Sequence, residues 1–213
     1  MFKKISLLLF ICSLNNDATA GSYNVSDFSD LTLSDWQTKS FKGMTQYKII
    51  QMHKQNVLEA ISHQSASSLY KNKRVNLQKT PYLNWSWRID KRLTIINEQM
   101  KQGDDFAARI YLIIKGKWFW QTKAINYVWS SYHPKQATWS NPFAGKNVMM
   151  LALRNNTDKT QQWYIEKRHV LADLQQVFGE YIPYIDGIAI MTDTDNAGGD
   201  AHSYYGSIYF TEK

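Results

Sequence analysis

The sequence predicts an all-β fold, a jelly-roll-like β-sandwich with one short helix. Three observations carry this. Apolar residues recur with a period of two along most of the chain. Turn signals separate these short runs, with no repeat and no Pro/Gly linker between them. Aromatic residues make up 14% of the chain, with eight Trp and thirteen Tyr spread along its length. An α+β arrangement around an antiparallel sheet is the alternative.

The first segment, "MFKKISLLLFICSLNNDATAG", is set apart from the strands. Lys3 and Lys4 form a basic start, Ile5 to Leu14 an apolar stretch, and Ala18-Thr19-Ala20 a small-residue cleavage signal. That combination predicts a secretory signal peptide over residues 1–20 and a single domain over residues 21–213. Bulky Phe10 and Ile11 before Cys12 argue against lipidation. Cleavage would remove the single cysteine, leaving neither disulfide nor thiolate chemistry. No later run approaches the roughly 18 uninterrupted apolar residues of a membrane span. The expected location is periplasmic or secreted.

Several segments read as strands. In "YLNWSWRID", Leu83, Trp85, Trp87 and Ile89 share one face, and Asn84, Ser86, Arg88 and Asp90 the other. In "AARIYLII", Ala108, Ile110, Leu112 and Ile114 oppose Arg109 and Tyr111. "AINYVWSS", "NVMMLALR", "WYIEKRHV", "DGIAIMT" and "GSIYF" are further strands. "VMMLAL" and "IAIM" are apolar on both sides, as central strands are. Trp85, Trp87, Tyr127, Trp129 and Trp163 are expected on strands as core residues. "HVLADLQQVFG" is the best helix, with Val170, Leu171, Leu174, Val177 and Phe178 on one side and Gly179 as C-terminal cap. "TIINEQMKQGDD" suggests a short second helix ending at Gly103.

Taken together, "PYLNWSWRID", "GDDFAARIYLI", "INYVWS", "SNPF", "WYIEKRHVLADLQQVFGE" and "IDGIAIMTDTDNAGGDAHSYYGSIYF" resemble a family of secreted bacterial proteins, domain of unknown function 3047. The resemblance runs from about Phe28 to Phe210. It implies export and a sandwich in the style of sugar-binding jelly rolls, and no established activity. The family's strand before the helix usually carries an Arg-Asp-Val step; here it reads Arg168-His169-Val170.

The net charge is +7, and losing Lys3, Lys4 and Asp17 would lower it by one. Such a charge favours acidic partners, though the lysines are scattered, as a generally solvated basic surface would be. Export argues against nucleic acid. Asp193, Asp195 and Asn196 follow an apolar strand and offer hard oxygen ligands at close spacing, so a structural calcium is one reading. This is not an EF-hand: Ala197 and Tyr204 stand where that loop needs an oxygen ligand and a bidentate glutamate. The alternatives are a wide turn using Gly198 and Gly199 at positive φ, and a ligand-contacting loop.

A polar sheet face could grip a hydroxyl-rich or anionic ligand through Arg88, Arg109, Glu166 and Arg168. Asp105 and Glu166 are the expected carboxylate partners of the arginines, and structural pairing is the competing reading. "KGKWFWQTK" places Trp118, Phe119 and Trp120 between lysines at a hairpin tip, where indoles could stack on sugars. No G-x-S-x-G, H-E-x-x-H or Walker motif is present. The five histidines show no metal-ligand spacing.

The first functional reading is an exported, non-catalytic binder of an envelope carbohydrate or glycoconjugate. Its ligand residues would be Arg88, Asp105, Arg109, Glu166, Arg168 and Tyr204, with Trp118 and Trp120 at the rim. The second is a glycan hydrolase or lyase. A hydrolase would draw two facing carboxylates, about 5 to 10 Å apart, from Asp105, Glu166, Asp193 and Asp195. A lyase would need a base beside a neutralising cation, from His202, Tyr204 and Arg109. The third is an envelope assembly protein that contacts a protein partner through the Trp118–Trp120 tip.

Overall fold

The computed structural model describes residues 21–94 and 97–213. The signal peptide expected over residues 1–20 lies outside the described residues. Six strands come first: β1 (Ser22–Ser26), β2 (Gln37–Lys42), β3 (Gln46–Met52), β4 (Gln55–His63), β5 (Ala66–Asn76) and β6 (Tyr82–Ile89). β7 (Arg109–Ile114), β8 (Lys123–Trp129), β9 (Thr138–Asn141), β10 (Gly145–Arg154) and β11 (Tyr164–His169) follow. Then come the helix α1 (Val170–Phe178) and β12 (Tyr184–Asp193), β13 (Asp200–Tyr205) and β14 (Ile208–Thr211).

The strands form two sheets of seven, so the molecule is a β-sandwich. The first runs β1-β14-β6-β13-β4-β3, with β11 also paired to β6. The second runs β2-β5-β12-β7-β8-β10-β9. Pairing is antiparallel except between β8 and β10. Along one edge of β6 the partner changes: Trp87 to Ile89 face β13, and Tyr82 to Asn84 face β14. The change falls at Gly206-Ser207, and the Gly206 amide still donates to the Ser86 carbonyl at 2.9 Å.

Alternation in β6 works as expected: Leu83, Trp85, Trp87 and Ile89 are buried in the main core. Ile110 and Leu112 of β7, and Ile125, Tyr127 and Trp129 of β8, meet them from the other sheet. Trp85 stacks on Tyr127 with ring centroids 5.4 Å apart. Met150, Ala152 and Val128 point away from that core and pack with Phe106 and Trp139, so β10 is apolar on both sides. Trp163 departs from expectation: it precedes β11 and is only half-buried.

Tyr205 ties the sheets together. Its hydroxyl donates to the Met191 carbonyl at 2.8 Å and accepts from the Arg109 amide at 3.2 Å. Helix α1 matches its expected bounds, and Gly179 caps it at φ 70°. His169 is its N-cap: the ring Nδ1 accepts from the Ala172 amide at 3.2 Å. The acidic residue that the resemblance leads one to expect there would serve the same backbone need. The expected second helix shrinks to a 3-10 turn over Lys101–Gly103; Ile95 and Ile96 lie outside the described residues.

His169→Ala should cost about 1 kcal/mol of stability, and His169→Asp should retain the cap. Urea unfolding of the two variants checks this.

Candidate functional site

The two sheets send the sequence-predicted residues to different places. Arg88 faces outward from the first sheet and Arg109 outward from the second, so they lie on opposite sides of the sandwich. Glu166 and Arg168 do not join Arg88. They sit directly opposite Trp85 and Leu83 in the β11–β6 register, and cross-strand partners share a face. Both therefore turn toward the inside. Glu166 accepts from Trp87 Nε1 at 2.9 Å and from Arg154 Nε at 2.5 Å. Arg168 forks onto Asp173 of α1, at 2.9 and 2.5 Å, and the Tyr127 hydroxyl donates to the same carboxylate. The single polar face holding Arg88, Arg109, Glu166 and Arg168 is not formed.

The inward turn of Glu166 and Arg168 forces Ile165 outward. Ile165, the second residue of β11, is 82% exposed, an inversion of the usual polarity. Ile165 pairs with Ser86 of β6 and lines a groove of about 640 Å³ on the outer face of the first sheet. Trp163 and Tyr209 add aromatic surface to the lining, and Asp27, Gln55 and Asn56 add polar groups. Ser86 and Gly206 lie between them. A Cβ on Gly206 would come within 2.2 Å of Ser86 Oγ, so a side chain there would have to displace that hydroxyl.

Arg88 and Tyr204 adjoin the groove. The Arg88 guanidinium lies 5.3 Å from the Tyr204 ring centre and donates to Asp90 at 3.1 Å. His202 reaches Glu59 at 2.9 Å and Asp90 at 3.2 Å, and its ring meets that of Tyr204 at 4.7 Å. Trp163 lies 6.4 Å from Tyr204 between ring centres. Burial, with Asp90 and Glu59 beside it, pushes the Tyr204 phenol up to about 12.

On the second sheet, Arg109 is 2% exposed and bound to Asp193, with Asp104 at 3.8 Å. Burial opposes its charge, but Asp193, Tyr111 and Asp104 outweigh that and raise its pKa. The expected partner Asp105 is occupied elsewhere. It accepts from the backbone amides of Asn196, at 3.1 Å, and Ala197, at 2.6 Å. Gly198 and Gly199 carry φ of 78° and 95°, so the turn is built as the glycines suggest. Asp105, Asp193 and Asp195 each offer an oxygen, all within 4.8 Å of one another. These three could hold a hard cation. Asn196 instead turns its Nδ2 toward Asp105 and Asp195, as a donor.

Nearby, Glu98 is fully buried and accepts from the Ser130 hydroxyl and the Ser131 amide. Burial outweighs these bonds and pushes its carboxyl up to about 7.

Trp118 and Trp120 occupy the turn between β7 and β8, 54% and 57% exposed. Their rings are parallel within 5°, with centroids 5.4 Å apart. The signal for this pair was plain in the sequence. For the groove, the alternation of "GSIYF" points Tyr209 outward, but nothing local marks Ile165 as exposed.

The family described as "Protein of unknown function (DUF3047)" matches residues 34–209, and the chain belongs to it. No curated protein matches the chain in sequence. Solved structures that share its fold include two carbohydrate-binding modules. One is the family 11 carbohydrate-binding module of the cellulosomal cellulase Lic26A-Cel5E of Clostridium thermocellum. The TM-score is 0.50 at 12% identity, covering 91% of this chain and 96% of that one. The other is the family 30 carbohydrate-binding module of Cel9D-Cel44B from the same organism. Its TM-score is 0.50 at 8% identity, covering 84% and 92%. At such identities the likeness is one of fold.

Arg109→Ala should cost about 3–5 kcal/mol, because it strands a buried carboxylate. Replacing Arg109 and Asp193 together by apolar residues should cost less, and urea unfolding compares them. Glu98 keeps its proton in the fold up to about pH 7, but ionises near its ordinary 4.5 when unfolded. Stability from this group is therefore full below about 4.5 and is lost as pH rises through 7. The melting temperature of Glu98→Gln relative to the unmodified protein should rise across that window.

Proposed function

We propose that this member of the DUF3047 family is an exported, non-catalytic binder of an envelope carbohydrate, which it takes in the groove on the first sheet. The observation that carries this reading is the polarity inversion of β11. Burying Glu166 and Arg168 needs the compensating pairs they make with Arg154 and Asp173. The strand accepts that demand while leaving Ile165 in water beside Trp163. Departures from local rules of this kind concentrate at functional sites. A saccharide would cover the apolar surface with its ring faces. Its hydroxyls would meet Gln55, Asn56 and Asp27 at the edges, the mixed lining typical of small-ligand sites. The shared fold with carbohydrate-binding modules is consistent with this use.

Among the residues lining the groove, Asp27 is the single carboxylate, whereas glycoside hydrolysis commonly draws on two. The adjoining His202, Tyr204 and Arg88 support a second reading, glycan cleavage by a lyase. The raised phenol of Tyr204 weighs against it as a base near neutral pH.

Affinity electrophoresis of the purified protein against a panel of envelope and plant polysaccharides tests the proposal. At least one polysaccharide should retard the protein. Trp163→Ala and Tyr209→Ala should each weaken that retardation about tenfold or more. Retardation by none of them would sink the reading, and shortening of the chains during the run would favour the lyase.

A further inference from the structure

The Trp118–Trp120 turn belongs to a second built surface, formed by elements that do not touch the groove. We infer that it is an independent binding site for an acidic saccharide, a sugar ring carrying a carboxylate.

The turn is pre-organised. The Gln121 amide donates to the Trp118 carbonyl at 3.0 Å, and the Trp118 amide donates to Gln121 Oε1 at 3.2 Å. Gly116 lies so close that a Cβ there would come within 2.4 Å of the Gln121 side chain. The two indoles are held parallel as a platform. Asn147 Nδ2 donates to the Trp120 carbonyl at 2.8 Å, which fastens the turn to the neighbouring strand β10. On that side a cleft of about 470 Å³ opens between the sheet and the end of α1, lined by Lys123, Ser140, Lys146, Asn147 and Phe178 among others.

Charge selects the ligand. Lys123 is paired with Glu180 at 2.7 Å. Lys115, Lys117 and Lys146 have no ion-pair partner among the described residues, so the surface carries an uncompensated positive field. An aromatic platform beside such lysines suits a ligand with one apolar face and one negative charge. A uronic acid ring has both. A neutral sugar would leave the lysines unused, and a flat lipid surface would leave the cleft unused.

The test is isothermal titration of the full protein with trigalacturonate and with its neutral counterpart, galactotriose. The acidic trimer should bind at least about tenfold more tightly than the neutral one, and its affinity should fall with added salt. Trp120→Ala should weaken it about tenfold, and Lys146→Ala about threefold. Trp163→Ala, in the groove, should leave it unchanged. Circular dichroism confirms that each variant is folded. Equal affinity for the two trimers, or no binding of the acidic one, overturns the inference. So does loss of binding on Trp163→Ala with none on Trp120→Ala, which would assign the acidic ligand to the groove. A final arm adds vesicles rich in phosphatidylglycerol. A blue shift of tryptophan emission there, absent in Trp118→Ala/Trp120→Ala, with no trigalacturonate binding, would make the turn a membrane contact instead.

Discussion

Strand β6 carries the rest of the structure. It pairs with β11 along one edge and with β13 and then β14 along the other, so three strands take their register from it. Because side chains alternate, that register settles both surfaces of the sheet at once. Trp85 and Trp87 enter the core, and Ser86 and Arg88 stay outside. Every partner of β6 inherits the division. Ile165 is outside because Ser86 is, and Glu166 is inside because Trp85 is. A slip of one residue would bury Arg88 and expose two tryptophans, a large penalty in both directions.

The molecule buries more charge than an apolar core needs, between the sheets and on the covered outer face of the second sheet. Arg109 with Asp193, Arg154 with Glu166 and Arg168 with Asp173 are all wholly or largely removed from water. Such pairs add little net stability over apolar residues, but losing one partner is costly. Here they orient: Glu166 also holds the indole of Trp87, and Asp173 holds the hydroxyl of Tyr127. The two sheets and the helix are thereby joined at defined points. The exterior carries aromatic and apolar side chains in water, among them Ile165, Trp118, Trp120 and Tyr209.

Two such surfaces arise by different means. The groove is a product of sheet geometry: a strand pair, a break at Gly206 and an inverted β11. The tryptophan turn is a local device, made by Gly116 and Gln121 within a few residues of the indoles themselves. The first presents amides and hydroxyls around an apolar wall, the second lysines around a stacked pair. Their chemistry differs, and that difference is why different ligands are proposed for them.

What the sequence determined by itself was whatever depends on near neighbours. The alternation of Leu83, Trp85, Trp87 and Ile89, the bounds and cap of α1, the Gly198-Gly199 turn and the exposed Trp118–Trp120 tip all follow from short-range periodicity and backbone preference. The tertiary structure decided which strands share a sheet and which way each one turns. That separated Arg88 from Arg109, gave Arg109 to Asp193 rather than Asp105, and turned Glu166 and Arg168 inward. "YIEKRH" alternates equally well with either set of residues outside, and only pairing with β6 breaks the tie. The physical reason is that alternation has a period but no sign: the sign comes from a partner strand far away in the chain.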